Sequence, residues 1–445
     1  MKNDFFTDKS CGVMLGAALG DALGAPVEGL KPAHIKTLFK ILDDYVPVDK
    51  LLKKGIRHYR QAGLYTDDTQ QMLAVCDAII AKENFSTDDI AQIFIEMCKD
   101  DTAGGFGVFR GTGRFFRYTM NDLLAAIPWE RVPGNTAGCM AAVRIPAVAI
   151  KFSDDPVRLI TAVINASLVT HKDPIGISVA VMQAFLIRGL LPLSAGEPFD
   201  AQALLADCKT YCAQAEKMLA SQYKHLISAS HPDGIYAVSS MIDRFAQLLN
   251  GKNPGAVDEY ILDYASHFAS MPIQKLTVPF SLTLVPLAIR IFLFNTASFD
   301  EPIITAINSG GDTDTLATLT GALAGAYWGM KSIPNKWLKG LINMNQIKLR
   351  AEILAEGKKN ADIKPICEME KQLTLHESQQ AQKYRNDSQH KKTPKPRQPR
   401  PSQQVALPEN ELCSSVPKKV DKAARRDFER QKAMNKKERR KNKIL

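Results

Sequence analysis

Gly16-Ala17-Ala18-Leu19-Gly20-Asp21-Ala22-Leu23-Gly24-Ala25-Pro26-Val27-Glu28 is the stretch from which the architecture is read. Gly16, Gly20 and Gly24 recur every four residues, so on a helix they fall on one side and leave a face without side chains. Such a face lets a second helix approach closely. Asp21 lies within this apolar segment, where a buried carboxylate needs a partner or a metal. Glu28 follows just beyond Pro26.

Outward from this stretch, long segments repeat their apolar residues at helical spacing, and few runs alternate as strands do. Thr69–Ala81, Thr87–Cys98, Pro156–Thr170 and Ile175–Leu190 are the clearest. Cap-like residues mark several starts: Ser86-Thr87-Asp88-Asp89, Ser153-Asp154-Asp155-Pro156 and Ser298-Phe299-Asp300-Glu301-Pro302. The expectation is an all-α chain, a compact multi-helix bundle, with no internal repeat. Residues 194–271 are helical but chemically plain, an elaboration between two motif-bearing halves. From about Ile363 the apolar periodicity weakens, and Lys391–Pro401 is a Pro/Lys/Arg run with no means of packing. These features divide the chain into a helical domain over 1–360 and a basic, largely disordered tail over 361–445. Within that tail, 423–443 has the composition of a charged helix without a continuous apolar face.

At 445 residues the chain can bury a large core. Its net charge of +10 is uneven: residues 381–445 carry 20 Lys and Arg against 7 Asp and Glu, leaving 37 against 40 for residues 1–380. Polyanion binding is therefore a question about the tail, whose partners by charge are anionic lipid, nucleic acid or an acidic protein. The first ten residues are polar and charged, which argues against a secretory signal. The apolar stretch Leu276–Phe294 contains Pro279, Pro286 and Arg290, which argues for a buried kinked helix over a membrane span. Eight cysteines without a CxxC pair read as thiols in a reducing, cytoplasmic compartment.

Two acidic segments stand out from the helical background. Thr66-Asp67-Asp68-Thr69 opens one helix, and Gly310-Gly311-Asp312-Thr313-Asp314-Thr315 opens another. Carboxylates at a helix N-terminus can be simple caps. Taken together, the segments also offer an all-oxygen ligand set suited to Mg²⁺ or Mn²⁺ and unsuited to zinc. Asp312 and Asp314, two apart, point to opposite sides of a helix but converge in a turn, which the paired glycines can supply. His171 ends an apolar helix, where a satisfied structural histidine and a ligand are both possible. Arg144 could grip a phosphate or cap carbonyls.

The order of these segments resembles the ADP-ribosylglycohydrolase family. Further pieces agree in sequence order: Gly105-Phe106-Gly107, Gly134-Asn135 leading to Met140-Ala141-Ala142-Val143-Arg144-Ile145-Pro146, Thr170-His171-Lys172-Asp173-Pro174, and the glycines and aromatics from Gly321 to Pro334. The resemblance spans roughly residues 8–345. It implies a dinuclear metal site in a central cleft, with Thr66, Asp67, Asp68, Asp312, Asp314 and Thr315 holding two Mg²⁺ or Mn²⁺ ions. It implies Glu28 as the acid/base, Gly105, Phe106, Gly107 and His171 lining an ADP-ribose cleft, and Asn135 near the phosphates. The chain departs from the family pattern in the longer Gly-Asn-Thr-Ala-Gly-Cys-Met run at 134–140 and in Thr283-Leu284 before Val285-Pro286, where the family often has an acidic residue. The implied activity is hydrolysis of ADP-ribose from a modified protein, through arginine, serine or a polymer linkage. The Gly-Phe-Gly loop, with no acidic residue immediately after it, is more similar to the serine/polymer branch. A non-catalytic ADP-ribose binder and a polyanion-binding protein acting through the tail are the alternatives.

Overall fold

The computed structural model describes residues 4–47, 51, 59–99, 106–358 and 362–390. Helices dominate the described residues, and the β feature recorded among them is a single bridge between Phe106 and Phe109. The all-α expectation holds. The four helices read from periodicity are Asp67–Ala81, Thr87–Lys99, Pro156–Leu168 and Pro174–Leu190. The cap-like residues act as caps. Ser86 Oγ accepts from the Asp89 N–H while Asp89 Oδ2 accepts from the Ser86 N–H, a reciprocal box. Asp155 accepts from the Arg158 N–H, and Asp173 from the Ile175 N–H.

The centre of the molecule is the pair Asp4–Gly24 and Thr313–Trp328. Their contact is a seam of small residues: Gly12 against Gly325 and Gly329, Gly16 against Gly321, Gly20 against Ala317, and Gly24 against Thr313. At Gly12, Gly16, Gly20, Gly24, Gly321 and Gly325 a methyl group would fall inside the opposing backbone, so the two helices touch main chain to main chain. The sequence had shown only one side of this seam. The Thr313 hydroxyl closes its end by donating to the Gly24 carbonyl at 2.9 Å. From Lys9 to Gly24 every residue of the first helix is buried. Among the described residues that helix is also the one long and apolar enough to cross a membrane by composition, and its burial marks it as core. Ser281–Phe294, with Pro286 inside it, is likewise a largely buried helix.

The elaboration over 194–271 comprises helices Ala201–Ser221, Ala237–Asn250 and Pro254–His267, the first packed on Pro174–Leu190. Six of the seven cysteines among the described residues are buried, and no disulfide joins any of the seven.

One boundary needs correction. The folded body does not end near residue 360: a further helix, Ile366–His390, packs against Asp67–Ala81 and Thr87–Lys99. Ile366 and Met369 join the core at its start, but further along its buried face is polar, with Glu370, Thr374 and Glu377 inside, so weak apolar periodicity concealed it. The Pro/Lys/Arg run at 391–401, the charged segment 423–443 and the rest of the tail lie outside the described residues.

Candidate active site

Each acidic segment reaches the site through backbone that the sequence constrains locally. Gly310 and Gly311 both have positive φ (68° and 75°), and side chains there would collide with Pro32 and with Thr277. The turn they make pairs with the segment after Glu28: the Gly29 N–H donates to the Gly311 carbonyl at 2.7 Å, and the Gly311 N–H donates to the Leu30 carbonyl at 2.9 Å. Glu28 is thereby fixed beside Asp312. Asp312 precedes the helix in a non-helical conformation and Asp314 lies in its first turn, so the two carboxylates converge closely enough to repel each other.

Thr66–Thr69 is held from inside by Asp21. The N–H and O–H groups of both Thr66 and Thr69 donate to the Asp21 carboxylate at 2.7–3.0 Å. Asp21 is therefore a fully partnered anchor, and the sequence had indicated only that it needed a partner. The Thr66 hydroxyl donates inward and accepts from the Asp68 N–H at 3.4 Å, which leaves it one lone pair for another contact. Asp67 Oδ2 accepts from Gln71 Nε2 at 3.1 Å, and Gln71 in turn accepts from Arg144 Nη2 at 2.6 Å. Arg144 is completely buried and also donates to the carbonyls of Met140 and Ala166. Its role is carbonyl capping and support of Gln71, and burial lowers its pKa to about 9.

Asp67, Asp68, Asp312 and Asp314 face one another in a desolvated pocket, with Glu28 at the rim. Burial raises the pKa of all five. Repulsion from Asp21 and Glu28 adds to it, taking Asp67 to about 7 and Asp314 to about 8. Glu28 keeps 44% of its side chain exposed, yet the cleft walls still desolvate its carboxylate. Arg60 is the cation facing the cluster, 3.8 Å from Glu28. Asp68 Oδ2 is buried and has no hydrogen-bond partner. An unpartnered buried oxygen among clustered carboxylates fits a divalent cation with oxygen ligands, and the neighbouring Thr66 and Thr315 add neutral oxygens.

The sign of the resulting pH dependence follows from these shifts. Asp67 and Asp314 have folded pKa values above their unfolded ones, so between about pH 4 and pH 8 the metal-free fold binds more protons than the unfolded chain. Stability is then lost as pH rises through that window. Melting in EDTA is expected to fall from pH 5 to pH 8, and Mg²⁺ or Mn²⁺ should remove most of that fall. A metal-free melting temperature that rises over this range would contradict the cluster as described.

The remaining residues singled out in the sequence fall in two groups. His171 is buried, with Nδ1 2.7 Å from the Thr170 hydroxyl, and burial beside Arg144 lowers its pKa to about 3, so it is neutral. It lies against the loop 136–138. Asn135 is exposed on that same loop, whose Gly134 carbonyl accepts from the Lys172 N–H at 2.6 Å. Phe106 is half-buried in an aromatic group with Phe116, and Gly107 has positive φ and lies where a side chain would strike the Met97 carbonyl. Gly105 lies outside the described residues. Gly111 went unnoticed in the sequence. It has φ of 82°, and a Cβ there would come within 3.1 Å of Asp67 Oδ1, so only glycine leaves that carboxylate its space.

A helical fold built on a Gly-rich seam, with carboxylates from both seam helices converging beside a third helix start, defines a family. Residues 1–363 match the family described as ADP-ribosylglycohydrolase, and the chain belongs to it. It is 25% identical over 359 residues to ADP-ribosylhydrolase ARH3 of Bos taurus, covering 77% of this chain and 91% of that one. Against the ADP-ribosyl-[dinitrogen reductase] glycohydrolase of Rhodospirillum rubrum it is 24% identical over 349 residues, covering 78% and 94%. The fold is shared with a solved structure titled ADP-ribosylglycohydrolase-related protein complex, with a TM-score of 0.53, 22% identity, and coverage of 80% of this chain and 99% of that one.

Proposed function

We propose that the protein is a divalent-metal-dependent hydrolase that cleaves the glycosidic bond between ADP-ribose and a modified protein side chain. The observation that carries this reading is the buried, unpartnered Asp68 oxygen within a cluster of mutually repelling carboxylates, in a member of a glycohydrolase family. Asp67, Asp68, Asp312 and Asp314, with Thr66 and Thr315, would hold two Mg²⁺ or Mn²⁺ ions, whose charges the four carboxylates balance. When bound, the ions supply Lewis-acid charge at the ribose and acidify water.

The chain's own residues do the rest. Cleavage at the anomeric carbon develops oxocarbenium character and needs a proton moved between leaving group and water. Glu28, at the rim beside Arg60 and with its pKa raised, is suited to carry that proton. His171, neutral and buried, can offer a hydrogen bond without adding charge. The walls around Asp67 and Asp68 exclude bulk water from the reacting face.

The test is a panel of arginine-, serine- and polymer-linked ADP-ribose substrates assayed with Mg²⁺, with Mn²⁺ and with EDTA. Turnover with metal on at least one linkage supports the reading, and undiminished turnover in EDTA refutes it. Glu28→Gln should retain ADP-ribose binding by calorimetry while slowing cleavage by about a hundredfold or more, the scale of a lost acid/base. If cleavage is unchanged, the proton is carried elsewhere.

A further inference from the structure

The helix Ile366–His390 begins after the last residue that matches the family, yet it delivers a carboxylate to the back of the acidic turn. Glu370 is completely buried. Its Oε1 accepts from the Tyr65 hydroxyl at 2.5 Å, and its Oε2 accepts from Gln70 Nε2 at 2.8 Å. The same Oε2 stands 2.6 Å from Arg110 Nη2 in an ion pair that is buried on both sides. Tyr65 and Gln70 flank Thr66–Thr69 in sequence, so this one side chain grips the turn at both ends.

The third partner ties in the loop that overlies the turn. Arg110 Nε donates to the Tyr65 carbonyl at 3.1 Å, the Arg110 N–H donates to Gln70 Oε1 at 2.9 Å, and the Arg110 carbonyl accepts from the Asp67 N–H at 2.7 Å. Thr374, one turn further along the helix, donates to the Val108 carbonyl at 2.6 Å and accepts from Arg110 Nη1 at 2.9 Å. Beyond it, Glu377 lies 4.0 Å from Arg60, whose other end faces Glu28.

We infer that Glu370 is a positioning residue for the acidic turn Thr66–Asp68, so that in this chain the C-terminal helix is a working part of the active site. The inference rests on the proposal that Thr66, Asp67 and Asp68 are metal ligands. Its physical basis is opposed forces on a short turn. Asp67 and Asp68 repel each other and the carboxylates opposite, which drives the turn outward. Asp21 restrains it from Asp4–Gly24, and Glu370 restrains it from Ile366–His390. Ligand groups must be held to a fraction of an ångström, and groups that orient them typically carry a ten- to hundredfold effect on metal affinity or activity.

Glu370→Gln in the full chain keeps the shape and removes the charge that Arg110 and the Tyr65 hydroxyl require. It should weaken Mn²⁺ binding by calorimetry about tenfold or more and lower kcat by a similar factor, with KM for an ADP-ribosyl peptide little changed. In the metal-free protein, amide exchange at Thr66, Asp67 and Thr69 should quicken while the Gly16–Gly321 seam stays protected. Should buried Arg110, robbed of its counter-charge, prevent folding, Tyr65→Phe releases one end of the turn and leaves the Arg110–Glu370 pair intact. It should show the same changes at a severalfold level. Wild-type metal affinity, kcat and exchange in the folded variants would overturn the inference alone. A wild-type chain that binds no Mn²⁺ would remove the metal reading and this inference with it.

Discussion

Asp312→Ala is expected to abolish hydrolysis, lowering turnover by at least about a thousandfold, some 4 kcal/mol of transition-state stabilisation, without unfolding the chain. Asp312 is fixed by the Gly310-Gly311 turn and its backbone N–H donates to the Thr277 carbonyl, so its position survives loss of the carboxylate. Its side chain stabilises little in the metal-free fold. It is desolvated and repelled by Asp314, and both effects raise its pKa well above the usual range. Removing a charge from such a cluster relieves repulsion, so the metal-free variant should melt no lower than wild type above pH 7, while the stabilisation by Mn²⁺ expected of the wild type should disappear. Asp67→Ala should behave alike. Paired melting curves with and without Mn²⁺, beside turnover, decide the matter: full activity, or a large metal-free loss of stability, would show the carboxylate to be a structural cap.

Gly20→Ala should do the opposite and cost stability first. A methyl group there would penetrate the Ala317 carbonyl and crowd the Thr318 nitrogen, and neither backbone can turn aside as a side chain could. The first helix would have to lift away from Thr313–Trp328, at a cost of at least about 3 kcal/mol, the upper range for overpacking. Asp21 is the next residue, so the displacement also reaches the carboxylate that holds Thr66 and Thr69. Metal affinity should fall along with the denaturation midpoint. Gly255→Ala is the control, since its new methyl meets Asn253 at an ordinary 3.4 Å and a helix gains from the exchange. Equal midpoints for the two variants would mean that the seam is looser than its geometry.

Much of this was legible in the sequence because the signals are local. Glycines every fourth residue on Asp4–Gly24 define a close-packing face whatever lies opposite, and Gly310-Gly311 before two aspartates requires a turn. What stayed hidden depends on distant partners. Ile366–His390 inserts Glu370 and Thr374, and its buried face becomes apparent only when Arg110, Tyr65 and Gln70 stand before it. Two apolar residues, Ile366 and Met369, are too short a period to announce a helix whose remaining buried positions are polar. Arg144 offered a phosphate grip and a carbonyl cap equally, and Met140, Ala166 and Gln71 settle it as a cap. Gly111 gave no signal at all, because the need for glycine arises from Asp67, 44 positions earlier.

The seam also governs how the molecule is made. Its two halves, Asp4–Gly24 and Thr313–Trp328, are separated by about 300 residues, which at 5–20 residues per second take roughly 15–60 s to synthesise. Throughout that interval a helix long and apolar enough to cross a membrane emerges from the ribosome without the surface it is shaped for. The acidic turn waits longer still, because Glu370 emerges last of all its anchors. Nascent chains arrested before residue 313 therefore present a greasy, unmatched N-terminal helix, which marks them as clients for chaperones.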